Sequence, residues 1–493
     1  VLESSGTAVW MVAAMTASPE AIPLPKEGPF YIIAGDGWRP ITSAIDVEKG
    51  GILDLSGLLD APAGKHGQVI AKDGRFVFAD APDQRIRFYG TNFCFSANFP
   101  SHEQSDAIAE RMAREGYNTV RLHHYDWDIT TKDERDSTIL DPKQLDRFHY
   151  LIHALEQRGL YISIDLFTFR QIRPGEVTEV EGISRNGYKA AVVFLDSAMA
   201  NWQRFTRALL TAPNPYSGRS LAEDPALVGI CPVNEDTIWS VINEHAGLRD
   251  LARERFAAWL EQRDTSQVGE TERESLWTRF LTEAQIAANR RMTAFIRDLG
   301  CQAPVTGVNF ITTMNLVPTR ADRSFDFVDN HAYWDHPGFP EKPWSLPMSY
   351  QNRSAVEAGA GVPRGLMPGR VVGKPYTVPE FNYVFPNRYR AEGGPLIGAY
   401  AALQDWDGLW RFAHAHALEN LVSLRRTGGF DLGTDPLNRL SERLGVLCFL
   451  RGDVAPAKGR VVLAVDDESA YAGKTGWGGS PFPTGFDWLG LHT

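Results

Sequence analysis

The chain has 493 residues, 43% of them hydrophobic and 23% charged, with a formal net charge of −11. That length and composition fit a globular enzyme with a barrel of roughly 250 to 400 residues and a smaller module beside it. The acidic balance argues against nucleic acid or an anionic membrane as partner, and no apolar run reaches the roughly 20 residues of a membrane span.

Residues 1–85 read as an N-terminal β-rich module. Short β-type runs at 30–33, 68–71 and 75–78 are separated by turn signals such as Gly35-Asp36-Gly37 and Asp73-Gly74. An apolar stretch at 8–15 has Glu3 where a basic region would stand, so it does not read as a signal peptide. From Arg87 the pattern becomes alternating strands and amphipathic helices, the signature of a parallel α/β fold. Strands are expected at 87–95, 119–125, 161–167, 227–235, 305–310, 327–333, 376–382 and 408–413. Helical periods fall at 101–115 behind a Ser101 cap, at 141–158, 198–210 and 272–299, with an extra helix near 248–262. These units predict a (β/α)₈ TIM barrel over 86–435. Beyond it, 436–493 reads as a C-terminal β-rich segment, clearest at 459–465, that pairs with the N-terminal module. The four cysteines show no paired spacing; Cys94 and Cys231 read as buried small hydrophobes on inner strands.

In such a barrel the working residues sit at the C-terminal ends of the strands. Those ends carry Asn92; Arg121, His123, His124 and Asp126; Asn234 and Glu235; His331 and Tyr333; Glu380 and Asn382; and Trp410. Glu235 and Glu380 close apolar runs, Cys231-Pro232-Val233-Asn234-Glu235 and Tyr376-Thr377-Val378-Pro379-Glu380-Phe381-Asn382. A carboxylate left unpaired in a core costs several kcal/mol, so both are expected to face a polar cavity. Paired carboxylates at strand ends are the apparatus of glycosidic bond hydrolysis. His123 and His124 are adjacent, so a strand would turn only one of them to the pocket; His123 shares the parity of Arg121. Trp410 is a flat face suited to pyranose C–H groups.

Arg87-Phe88-Tyr89-Gly90-Thr91-Asn92, Tyr117-Asn118-Thr119-Val120-Arg121-Leu122, the Asn234-Glu235 pair and the later Glu380 together resemble clan A of the retaining glycoside hydrolases, most like the family 5 cellulase and mannanase group. That resemblance spans roughly 87–415. It implies that Glu235 is the general acid/base, Glu380 the nucleophile, Asn234 the holder of the sugar 2-hydroxyl, and Arg121 and Tyr333 hydrogen-bond donors to the nucleophile. Physical chemistry asks for the same division. The nucleophile must be ionised, which a permanent cation such as Arg121 favours, while the acid must hold a proton near neutral pH. The connection at 170–189, the insertion between Asn234 and Val305 and the terminal β modules are unlike a minimal cellulase, and these segments shape the cleft.

The expectation is a retaining β-glycosidase acting on a β-linked oligo- or polysaccharide, with no metal and no organic cofactor. A substrate of that kind favours a secreted or periplasmic location. Two rival readings are a metal-dependent barrel hydrolase using His123 and His331, with His124 and Asp126 as further ligands, and a non-catalytic carbohydrate-binding barrel. No paired-histidine spacing stands at the strand-1 end to support the first, and the presence of both glutamates argues against the second.

Overall fold

The computed structural model describes residues 46–472, apart from 134, 266, 311–313 and 426, together with two short backbone segments. Those segments, β1 (Leu2–Ser4) and β2 (Phe30–Ile32), pair antiparallel. Next comes an antiparallel meander of β3 (Val69–Lys72), β4 (Arg75–Phe78) and β5 (Ala81–Arg85).

The main sheet has seven strands, all parallel: β6 (Phe88–Cys94), β7 (Thr119–His123), β8 (Tyr161–Asp165), β9 (Leu227–Cys231), β10 (Val328–Trp334), β11 (Tyr376–Tyr383) and β12 (Gly408–Ala415). Their spatial order is β9-β8-β7-β6-β12-β11-β10. Between β9 and β10 lies the expected fifth strand, reduced to a single parallel bridge from Val305 to Ile230. Asp326 N donates to Val305 O at 2.8 Å on its other side, so the ring continues through this point. The expectation of a full strand at 305–310 is corrected: Val308 takes φ +60° and leaves the extended region. Seven strands and this bridge make the α/β barrel.

The helices follow their caps. In α1 (His102–Arg114) Gln104 N donates to Ser101 Oγ and Ser101 N to Gln104 Oε1, a reciprocal capping box that leaves Ile108 and Met112 on the core face. Asp141 caps α2 (Pro142–Gln157) by accepting from Lys143 N and Gln144 N, with Pro142 in the first turn. Two helices, α3 (Arg185–Phe194) and α4 (Asp196–Thr211), fill the connection between β8 and β9. After β9 come the extra helix α5 (Ala246–Glu261) and the 29-residue α6 (Glu270–Asp298). Among the described residues no helix is long and apolar enough to cross a membrane.

The meander closes the floor of the barrel. Phe76 packs edge-on against Phe88 and Phe327, and Phe88 stacks on Trp410, with Val69, Phe78, Tyr161 and Val228 in the same apolar cluster. Each large side chain buried there is worth about 1.5–3 kcal/mol. Arg85 and Arg87 hold the meander to the start of β12 through Asp407 at 2.8 Å and Asp405 at 2.6 Å.

The β-rich reading of 436–493 is corrected over its described part. Residues 436–446 form α8 (Pro436–Val446), continued by a π-helical turn at Leu447–Arg451. This helix packs on α7 (Gly393–Leu403) so closely that a Cβ at Gly398 would lie 2.6 Å from Gly445 Cα. The apolar run at 459–465 has no partner strand among the described residues, and Val461 and Val462 are exposed. Residues 473–493 lie outside the described chain. All four cysteines are free, with Cys94 and Cys231 buried as expected.

Candidate active site

The C-terminal ends of the barrel strands gather a buried charged network. Period-two alternation sends Arg121 and His123 of β7, Asp165 of β8 and Glu380 of β11 to the inside. Arg121 Nη1 donates to Glu380 Oε1 at 2.8 Å and to Asn92 Oδ1 at 3.0 Å; its Nη2 donates to Asp165 Oδ1 at 2.8 Å and Asn234 Oδ1 at 3.1 Å. The Tyr333 hydroxyl donates to Glu380 Oε2. Burial alone would raise the Glu380 carboxyl, but the charges of His331 and Arg121 hold it below the usual carboxylate value. Burial, together with Glu380 and Glu235, drives the Tyr333 phenol well above its ordinary value, so it remains a neutral donor.

Glu235 faces Glu380, with His331 beside both. His331 Nδ1 lies 3.1 Å from Glu235 Oε1 and 3.5 Å from Glu380 Oε2. One ligand atom from each of Glu235, His331 and Glu380 lies within 4.8 Å of the others. Glu235 is turned toward them by a left-handed backbone, φ +52°, just past the end of β9. Its side chain is 32% exposed against 5% for Glu380, so the two carboxylates differ in access to water. Burial raises Glu235, yet the His331 hydrogen bond and charge pull it below the ordinary carboxylate value.

The other expected residues are placed as follows. Asn92 and Asn234 both turn their carbonyl oxygens to Arg121, and Asn92 Nδ2 donates to Pro379 O at 2.9 Å. His123 Nδ1 pairs with Asp165 Oδ2 at 2.6 Å, and its Nε2 faces Glu380 Oε1 at 3.3 Å. Burial and then Arg121 push its imidazole well below the ordinary value. Asn382 Nδ2 donates to Phe412 O at 2.5 Å and Phe430 O at 3.0 Å, which makes it a brace for the cleft wall.

Three expectations change. Trp410 is not at the cleft: it is the third residue of β12, 4% exposed in the floor cluster, with Nε1 donating to Thr119 Oγ1 at 3.3 Å. The aromatic group that β12 brings to the site is Phe412, whose ring centroid lies 5.8 Å from His123 and 5.9 Å from Tyr333. His124 does not point away from His123. It takes φ +52°, and the two rings lie 3.8 Å apart on one side. Asp126 is spent on structure, accepting from Thr168 N, Thr168 Oγ1, Phe169 N and Arg170 N at 2.6–2.9 Å, which fixes the loop after β8.

Sequence reasoning passed over Asp165, Asn309 and Trp344. Asp165 shares the inward parity of Tyr161 and Ser163 at a strand end, a signal that could have found it. Asn309 accepts from Glu235 N at 2.7 Å and donates to Asn234 Oδ1 at 3.0 Å, but nothing in the reduced fifth strand marks it. Trp344 is 64% exposed on the loop after β10 and packs on Phe339, His336 and Phe430. That loop is closed at its base by Asp335, which accepts from Gln351 N at 2.6 Å and Asn352 N at 2.8 Å.

No family model matches the chain, and no curated protein matches it by sequence. Solved structures do match. The endo-1,4-β-mannanase from Rhizomucor miehei superposes with a TM-score of 0.50 at 12% identity, over 78% of this chain and 99% of that one. A β-galactosidase from the Antarctic haloarchaeon Halorubrum lacusprofundi gives 0.53 at 16% identity, over 78% and 61%. A glycoside hydrolase family 5 mannosidase from Rhizomucor miehei, in a mutant form, gives 0.50 at 11%, over 78% and 99%. The fold is that of barrel glycoside hydrolases. Within it, the strand ends of this chain hold the two glutamates face to face.

Proposed function

We propose that the protein is a retaining β-glycosidase that cleaves a β-linked oligo- or polysaccharide by double displacement, without a metal or organic cofactor. The observation that carries this reading is the pair Glu235 and Glu380, with ligand atoms within 4.8 Å of one another. A spacing near 5 to 5.5 Å, about what retention needs, leaves no space for the water that inversion requires. The barrel over 86–435 is the catalytic unit in this reading, with 1–85 as an accessory module.

Glu380 is the nucleophile. It attacks the anomeric carbon as Arg121 and Tyr333 hold its two oxygens. Glu235, with His331 Nδ1 3.1 Å from its Oε1, protonates the departing oxygen as the general acid. Glycosylation then removes the charge of Glu380, so the repulsion between the carboxylates disappears and Glu235 becomes a base for the incoming water. Asn234, with its oxygen engaged by Arg121 and Asn309, leaves its amide N–H groups for the sugar 2-hydroxyl. The known mannanases and β-galactosidase of this fold support β-hexosides as the first substrates to try.

The test is the anomer first released from an aryl β-glycoside, followed by proton NMR. The β-anomer is expected; initial release of the α-anomer would sink the mechanism.

A further inference from the structure

Lys189 is a buried cation that the chemistry above does not use. It lies in α3, in the connection between β8 and β9, and is only 6% exposed. Among the described residues no carboxylate lies within ion-pair distance of its ammonium. Its Nζ donates instead to the main-chain carbonyl of Glu235, at 3.4 Å. An ammonium taken out of water without a paired carboxylate is unfavourable, and a lysine serving only to cover apolar surface would carry its head group to solvent.

The contact falls on a strained residue. Glu235 has φ +52°, a left-handed conformation that a residue with a Cβ rarely adopts. Its two backbone polar groups are held by side chains from separate elements: Asn309 accepts from its N–H at 2.7 Å, and Lys189 donates to its carbonyl. Resting on the acid/base role given above to Glu235, we infer that Lys189 is a positioning residue: with Asn309 it clamps the Glu235 peptide so that the carboxyl meets His331, and its charge favours the carboxylate form that the second displacement needs.

The charged groups around this clamp are few. Glu235 is faced by His331 and Tyr333 of β10, Arg121 of β7 and Glu380 of β11, while Lys189 is faced by Glu235, Asp236, Glu380 and Arg185. Arg121 is already shared between Asp165 and Glu380. Burial lowers the Lys189 ammonium from its ordinary value while Glu235, Asp236 and Glu380 oppose that shift; protonated, Lys189 places a positive charge beside Glu235 that no ion pair among the described residues offsets.

The test is the pH profile of kcat/KM for an aryl β-glycoside in Lys189→Met, Lys189→Gln and Lys189→Arg, with Glu235→Ala alongside. Loss of the cation should move the alkaline limb, which reports the acid, upward by about one pH unit. Lys189→Arg should keep the wild-type limb. Folding is read separately by thermal melting, and the Met side chain suits the buried site if the glutamine does not. An unmoved alkaline limb in folded Lys189→Met, or a limb displaced equally in Lys189→Arg, would overturn the inference. Full turnover by Glu235→Ala would overturn the acid/base reading itself, so the two failures are distinguishable.

Discussion

Arg121 donates to Glu380 Oε1 at 2.8 Å, and both side chains are almost wholly buried. A charged hydrogen bond in so dry a place keeps the carboxyl ionised in the free protein. Removing the cation leaves Glu380 and Asp165 without their shared partner, and breaking a buried pair costs about 3–5 kcal/mol. Arg121→Met is therefore expected to lower the melting temperature and to move the acid limb of kcat/KM to higher pH, because the Glu380 pKa rises. An acid limb that stays in place would separate Arg121 from the nucleophile.

Glu380→Ala and Glu235→Ala should each lower turnover by several orders of magnitude while leaving the fold intact by circular dichroism. Azide restores the first as an α-glycosyl azide and the second as a β-glycosyl azide, because it enters opposite faces of the sugar in the two cases. The same anomer from both variants would refute the division of roles.

Dialysis against a chelator is expected to leave turnover unchanged. His331 Nδ1 is directed at two carboxylates and His123 Nδ1 at Asp165, so these nitrogens already have protein partners. Activity lost on chelation and restored by a divalent ion would instead turn Glu235, His331 and Glu380 into ligands.

The two tryptophans should separate stability from binding. Trp410→Ala empties part of the barrel floor and is expected to cost about 3–5 kcal/mol in denaturant titration, with little change in KM for the protein that remains folded. Trp344→Ala removes an exposed face at the rim of the cleft and should raise KM for oligosaccharides severalfold, leaving aryl monoglycosides and the melting temperature untouched. Equal losses on both substrates would take Trp344 out of the cleft.

Glu156 gives a pH dependence distant from the chemistry. It is 3% exposed, and burial followed by the neighbouring Asp224 raises its carboxyl to about 9 from an ordinary 4.5. A folded value above the unfolded one means that the stability is fully present below 4.5 and is lost as the pH climbs through about 9. Glu156→Gln, which mimics the protonated acid, should flatten that fall in thermal melts between pH 5 and 9.

The strand ends were legible because parity and order are local properties of the chain. Arg121 and His123, Glu380 and Asn382, and His331 and Tyr333 alternate along their strands, and the barrel places every strand end on one face. Trp410 misled because its place depends on where β12 begins, and an apolar start at Gly408 gives no sign of how far the strand extends beyond 413. The pairing of His123 and His124 turned on one left-handed residue that no side-chain pattern announces. The segment at 459–465 shows the limit from the other side, since a β-branched apolar run makes a strand only where another strand is free to bond it.

Asp335 ties the ends of the 335–352 loop to each other, and Asn387 Nδ2 reaches the same carboxylate at 2.9 Å. Asn382, by contrast, binds Phe412 and Phe430 to the strand that carries Glu380. One wall of the cleft is thus continuous with the reacting group, while Trp344, which packs on the Phe430 of that wall, is carried by a loop with its own latch. Exchange of residues 336–350 for a loop of different length or tip would re-tailor the rim and leave the two glutamates in register.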